Sequence, residues 1–264
     1  MTSIDAAFRR LRDAGEKGLV AYLTAGDPSP RASLSYLRSA ADAGADILEV
    51  GVPFSDPTAD GPTIEAASRR ALAGGMNVAG AIDLVASFRR THGTPVVLFG
   101  YYNPFHRYGI PKLCADSREA GADGFLIVDL PHEEAGEAAP AIRGAGMSLI
   151  PLAAPTSGMD RIRAFDRAGS GFLYLISVTG VTGIRESLPA GMVSWTREVK
   201  RAVTLPVAVG FGISSPAMAR SATRYADAAV VGSACVKIVE KHGRGRLGPA
   251  ELSRFVRSLK KSLR

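Results

Sequence analysis

Asp46-Ile-Leu-Glu-Val-Gly-Val-Pro-Phe-Ser-Asp-Pro-Thr-Ala-Asp-Gly-Pro (46–62) reads as a short apolar strand that runs into a loop stiffened by three prolines. Apolar runs of similar length recur at 19–24, 95–101, 124–129, 148–152, 171–177, 206–210 and 228–231. Stretches of helical composition separate them, among them 31–43, 78–91, 133–145 and 194–203. Strands alternating with helices predict a parallel sheet. Eight such units in 264 residues predict closure into a single (β/α)8 TIM barrel, an α/β fold with one domain over 1–264. Two additions to the plain repeat are expected: an extra N-terminal helix with Ile4, Phe8 and Leu11 on one face, and a short helix, 63–73, inserted after strand 2.

The repeat has an echo in the sequence. Ala43-Gly44-Ala45-Asp46, Ala120-Gly121-Ala122-Asp123, Ala145-Gly146 and Ala168-Gly169 each precede a strand. Glycine suits the left-handed position that ends a helix, so the echo has a backbone cause.

Composition narrows the class. With 46% hydrophobic residues the chain can bury a large core without disulfides, and Cys114 and Cys235 lie too far apart for metal-type spacing. The four histidines form no ligand-spaced pair, so no metal is expected. Met1 to Arg12 lacks the apolar run of a signal peptide, and no segment reaches the roughly 18 apolar residues of a membrane span. A cytoplasmic protein is expected. Much of the excess behind the net charge of +7 sits at the ends, at Arg9, Arg10, Arg12, Arg244, Arg246, Arg254, Arg257, Lys260, Lys261 and Arg264. These read as solvated helix faces, and no aromatic-and-basic strip suggests nucleic acid.

Strand alternation puts Ile47, Glu49 and Gly51 on one face of the second strand and Leu48 and Val50 on the other. Leu48 and Val50 are the better partners for packing helices, so Glu49 is expected inside the barrel, near the catalytic rim. Burial there would raise its pKa and let it carry a proton near neutral pH. Asp56 and Asp60 follow between Pro53, Pro57 and Pro62. Either suits acid–base work over the barrel mouth or simple capping of a turn or helix, and Asp60 is well placed to cap the 63–73 helix. Spacing does not choose between these roles.

At the other end, the seventh strand runs into Gly210-Phe-Gly-Ile-Ser-Ser-Pro (210–216) and the eighth into Gly232-Ser-Ala (232–234), each leading to a helix. Glycines after strands 7 and 8 let backbone N–H groups approach a phosphate, the usual place for one in such barrels.

These motifs together resemble the tryptophan synthase alpha chain family. The resemblance rests on 49–62, on Tyr22-Leu-Thr-Ala-Gly-Asp-Pro (22–28), Gly100-Tyr-Tyr-Asn-Pro (100–104) and Val128-Asp-Leu-Pro (128–131). Tyr174-Leu-Ile-Ser-Val-Thr-Gly-Val-Thr-Gly (174–183), 210–213 and 232–234 complete a collinear set. The resemblance implies a lyase that cleaves indole-3-glycerol phosphate to indole and glyceraldehyde 3-phosphate by a retro-aldol step. Glu49 and Asp60 match the two catalytic acids. Tyr22, Phe99, Tyr174, Thr182 and Phe211 match the substrate pocket, while Gly183, Gly212, Gly232 and Ser233 match the phosphate site.

It further implies a mobile lid within 178–190 and a partner-facing surface at 53–60, where Pro53-Phe54 is expected as an exposed apolar pair. The working form implied is an α2β2 complex with a beta chain, which carries pyridoxal phosphate; this chain is expected to need no cofactor. Alternatives are a stand-alone lyase that releases free indole and a non-catalytic activator of a beta chain. Glu65 and His132 depart from the family's usual residues, and Glu65 is expected to push up the pKa of Asp60 by like-charge repulsion.

Overall fold

The structure, a computed structural model, describes residues 2–176, 190–210, 212–245 and 247–264. Its strands are β1 (Gly18–Thr24), β2 (Ile47–Gly51), β3 (Val96–Gly100), β4 (Gly124–Ile127), β5 (Ser148–Leu149), β6 (Leu152–Ala153), β7 (Leu173–Ile176), β8 (Val207–Gly210) and β9 (Ala228–Val231). Around them run α1 (Ser3–Asp13), α2 (Pro30–Asp42), α3 (Pro62–Ala73), α4 (Val78–Arg89), α5 (Tyr102–Tyr108) and α6 (Ile110–Glu119). The layer continues with α7 (Ala138–Gly144), α8 (Met159–Ala168), α9 (Ala190–Ala202), α10 (Pro216–Thr223), α11 (Ser233–His242) and α12 (Leu247–Lys261).

All the strand pairings are parallel, in the order β5-β4-β3-β2-β1-β9-β8-β7-β6. The two ends of that order are consecutive in sequence. β5 and β6 are halves of the expected fifth strand, parted at Ile150-Pro151, where proline has no N–H to give the ladder. The break is bridged on both sides: Ile150 N–H donates to Phe125 O at 2.8 Å, and Tyr174 N–H donates to Pro151 O at 2.9 Å. Eight strand positions thus close into a TIM barrel.

The other departures are local. The 133–145 stretch is a 3-10 turn, His132–Glu134, followed by the short α7, and the third crossover is split into α5 and α6 at Gly109. Inserted helix and N-terminal helix are both present, as α3 and α1.

Alternation sorts the core into two compartments. Leu48, Val50, Leu98, Phe125, Leu173, Leu175, Val207 and Val209 face outward and pack with the helices. Val20, Ile47, Val97, Leu126, Ile150, Phe172, Tyr174 and Val230 fill the interior. Helix α1 closes one end of that interior with Ile4, Phe8 and Leu11, the ring of Phe8 lying 5.7 Å from that of Phe172. A capping box fixes where α1 begins: Thr2 N–H donates to Asp5 Oδ2 at 2.9 Å and Asp5 N–H to Thr2 Oγ1 at 3.2 Å. With its lower end plugged, the barrel can admit a ligand only at the strands' carboxyl ends.

The Ala-Gly-Ala-Asp echo has a second cause besides the left-handed glycines Gly44, Gly121 and Gly146. Asp46, Asp123 and Asp227, each just before a strand, accept the backbone N–H that opens the neighbouring strand: Leu19 at 2.9 Å, Val96 at 2.7 Å and Val207 at 2.7 Å. Each is also paired with a base, Asp123 with Arg89 and Asp227 with Lys200. Gly169 does not follow the pattern. Its φ is −79°, and what it supplies is room, because a Cβ there would lie 2.5 Å from Pro151 Cγ.

Lys260 corrects the reading of the basic C-terminus as a solvated face. Its ammonium is buried between Asp46 at 2.9 Å and Glu16 at 3.2 Å, and it donates to Lys17 O at 3.2 Å. Asp46→Ala is expected to leave that buried cation with Glu16 as its remaining carboxylate and the Leu19 N–H without its acceptor, lowering stability by about 1–3 kcal/mol, readable as a fall in the denaturant midpoint with an unchanged slope. Cys114 and Cys235 are both buried as free thiols. Among the described residues no single helix is long and apolar enough to cross a membrane.

Candidate active site

Glu49 lies in the middle of β2 on the face it shares with Ile47, whose side chain is in the barrel interior. It is fully buried, and neither carboxyl oxygen has a hydrogen-bond partner among the described residues. A buried carboxylate without partners is costly, so the proton stays on. Burial raises the Glu49 pKa to about 8.

Tyr22, directly across from Glu49 on β1, is buried, and its ring meets Phe99 of β3 edge-on at 5.2 Å. Thr24 Oγ1 donates to the Tyr22 hydroxyl at 3.4 Å. The room for that hydroxyl comes from Gly51, since any methyl group at 51 would collide with it. Tyr174 of β7 is buried on the far wall and uses Gly210 in the same way. Burial raises the pKa of both phenols, and the fields of Glu49 and Asp60 raise each of them further. Both tyrosines therefore lie within the fields of both acids, which places the four side chains in one neighbourhood.

Asp60 sits in the loop between β2 and α3, half-buried. It does not cap the helix: Gly61 is the N-cap of α3 and supplies no side-chain bond. Its partner is Tyr101, at the end of β3, whose hydroxyl donates to Asp60 and accepts Ala59 N–H at 3.0 Å. Burial raises the Asp60 pKa to about 6, against the lowering effect of the Tyr101 bond; Glu65, as expected, pushes it up. The ordering of the two acids is therefore set by environment. Near pH 7 Glu49 holds a proton and Asp60 is ionised, an arrangement suited to proton transfer with charge stabilisation.

The 100–104 motif alone assigns Tyr101 no role, although a tyrosine just past a strand's carboxyl end lies at the catalytic face. Pro53 and Phe54 need correction. Pro53 is buried and Phe54 half-buried, because the Phe54 ring packs on Tyr101 at 5.3 Å instead of standing free.

The expected phosphate-site residues among those described fall at two helix N-termini. Gly212 adopts φ +69° before α10, and Ser215 caps that helix by accepting Met218 N–H at 3.2 Å. At α11 the N-cap is Gly232 and no side chain satisfies the first turn, whose opening residue, Ser233, is exposed. Free N–H groups at a helix start favour an anion. Thr182, Gly183 and Phe211 lie outside the described residues, as does the expected lid through residue 189.

Comparison with known proteins finds relatives along nearly the whole chain. A sequence profile described as "Tryptophan synthase alpha chain" matches residues 8–264. The tryptophan synthase alpha chain of Citrifermentans bemidjiense is 45% identical over 263 residues, covering 100% of this chain and 98% of that one. The crystal structure of tryptophan synthase subunit alpha from Legionella pneumophila superposes with a TM-score of 0.91 at 33% identity, covering 100% of this chain and 98% of the other. A chain of a tryptophan synthase complex from Pyrococcus furiosus gives 0.84 at 38% identity, covering 92% and 98%.

Proposed function

The chain belongs to the tryptophan synthase alpha chain family, whose reaction is the cleavage of indole-3-glycerol phosphate to indole and glyceraldehyde 3-phosphate, and we propose that Glu49 and Asp60 carry that reaction here. The observation that supports the assignment is the pair of acids with separated pKa values, Glu49 raised to about 8 and Asp60 to about 6, both acting on the buried Tyr22 and Tyr174.

The chemistry follows from those states. Glu49, still protonated, gives its proton to indole C3. Positive charge then spreads to the ring nitrogen, where the Asp60 carboxylate accepts the indole N–H and stabilises it. The Glu49 carboxylate so formed takes the proton of the hydroxyl on the carbon attached to C3. The C3–carbon bond breaks, its electron pair returns to the indole ring, the aldehyde forms and Glu49 is protonated again. Tyr22, Phe99 and Tyr174 wall the ring, and Gly212, Gly232 and Ser233 receive the phosphate; Thr182, Gly183 and Phe211 are proposed to complete the two ends. No step calls for a cofactor.

We further propose that indole passes to a beta chain bearing pyridoxal phosphate in an α2β2 assembly, in a single-domain cytoplasmic alpha subunit. The surface that supports this is a groove of about 470 Å³ beside the 53–60 loop, lined by Phe54, Leu72, Val78, Asn103, Pro104 and Arg107. Burying apolar residues there would hold the Asp60 loop against the barrel.

The test is indole release by the purified chain across pH. A bell is expected, with an acid limb near 6 as Asp60 ionises and a basic limb near 8 as Glu49 loses its proton. Added beta chain is expected to raise the plateau. A flat profile between those limbs and beyond would remove both acids from the reaction.

A further inference from the structure

The charge cluster behind the Asp60 loop has no part in the steps above. Arg70 of α3 grips Asp27 through two parallel bonds, Nε to Oδ1 and Nη2 to Oδ2, both 2.9 Å. Its remaining terminal nitrogen, Nη1, lies 3.1 Å from Glu240 Oε1 of α11. Asp27, in the loop after β1, is almost fully buried, with 2% of its side chain exposed. Three segments therefore converge on one guanidinium: the loop beyond the β1 pocket wall, the helix that leaves Asp60, and the helix whose start is the open anion site.

Helix α3 packs mainly through small side chains, with Ile64 and Leu72 half-buried beside them. The buried face it presents is Ala67, Ser68 and Ala71. Ala67 touches the pocket itself, in a cluster with Tyr22 and Val236 and against Ile64 and Phe99. Small side chains allow close approach but do not interdigitate, so they leave sliding and rotation weakly opposed. At the helix start Gly61 gives no side-chain cap, and Pro62 follows at once. A planar guanidinium fork on a buried carboxylate opposes both motions, because a second parallel bond fixes direction as well as distance.

We propose that Arg70 is a positioning residue for the lyase reaction: its fork on Asp27, with Glu240, sets α3 so that Asp60 stands at a fixed distance from the anion site at α11. This rests on the reading of Asp60 as a catalytic acid. A substrate with its phosphate anchored at one end and its ring nitrogen to be met at the other needs that spacing held, since a misplacement of about 1 Å can lower a rate by about a hundredfold.

The test compares Arg70→Met, Arg70→Lys and Asp60→Asn in the full-length chain with beta subunit present, measuring kcat, KM and the pH profile of kcat. Arg70→Met is expected to lower kcat about tenfold or more with KM changed less than about threefold. Its acid limb is expected to move to lower pH, because a loosened α3 admits water to Asp60 and relieves the burial that raises its pKa. Arg70→Lys keeps the charge without the fork and is expected to fall between Arg70→Met and the parent. An Arg70→Met chain with parental kcat and an unmoved limb overturns the clamp, as does an Arg70→Lys chain no better than Arg70→Met with the limb unmoved. Should Arg70→Met not fold, Arg70→Lys decides alone: a reduced kcat with a displaced limb supports the clamp, parental values overturn it. Loss of turnover in Asp60→Asn beside a parental Arg70→Met removes the clamp only, whereas full turnover in Asp60→Asn removes the catalytic reading and the clamp with it.

Discussion

Glu49→Gln is expected to leave the barrel folded and to lower cleavage of indole-3-glycerol phosphate by about a thousandfold or more. A glutamine matches the shape of the protonated acid but has no proton to give C3 and no carboxylate to accept one from the hydroxyl, so both transfers fail together. Retention of substantial turnover would take Glu49 out of the mechanism.

The same substitution should stabilise the protein, and pH shows why. In the unfolded chain Glu49 ionises near its ordinary value of 4.5, whereas in the folded chain it does so near about 8. Below the unfolded value both states are protonated and proton uptake adds no penalty. As pH rises from there, folding must take up a proton that the unfolded chain has released, so stability falls until pH passes the folded value and then levels off. Near pH 7 the penalty is about 3 kcal/mol, from about 1.4 kcal/mol per pKa unit. Glu49→Gln removes it, so the variant should melt above the parent near pH 8 and close to it near pH 4.5. Gain of stability with loss of function is the pattern expected where a site holds an unfavourable group for its chemistry.

Asp60→Asn is the second large effect. The amide can still meet the indole N–H through its oxygen, but it lacks the charge that opposes the cation on the ring. A loss of about a hundredfold to a thousandfold in kcat is expected, with smaller change in KM because the ground-state hydrogen bond survives. Steady-state indole release measures both constants. An equal rise in KM with kcat intact would make Asp60 a binding residue only.

The barrel and its deepest acid were legible in the sequence because both depend on local periodicity. Ile47, Leu48, Glu49 and Val50 alternate between two unlike environments, and a register of period two leaves little freedom about which of them share a face. What was not legible depends on partners distant in the chain. Lys260 reads as one more charge on an amphipathic helix until Asp46 and Glu16 are brought to it. Phe54 reads as an exposed ring until Tyr101 packs under it. Asp60 has the spacing of a helix cap, yet the chain turns one residue later, at Gly61, and leaves its carboxyl to the Tyr101 hydroxyl. The division of the fifth strand at Pro151 had a visible signal, a proline inside an apolar run, and a parallel ladder bonded on both edges is where such a residue matters most.

Burial holds the proton on Glu49 at neutral pH, with no donor to its carboxyl among the described residues. Carbon-13 NMR of the protein labelled at glutamate side-chain carboxyls, with Glu49→Gln used to assign the resonance, follows that proton directly. A titration midpoint near 8 is the expected result. A midpoint in the ordinary carboxylate range, near 4.5, would contradict the account, since an already ionised residue 49 has nothing to deliver to the indole ring.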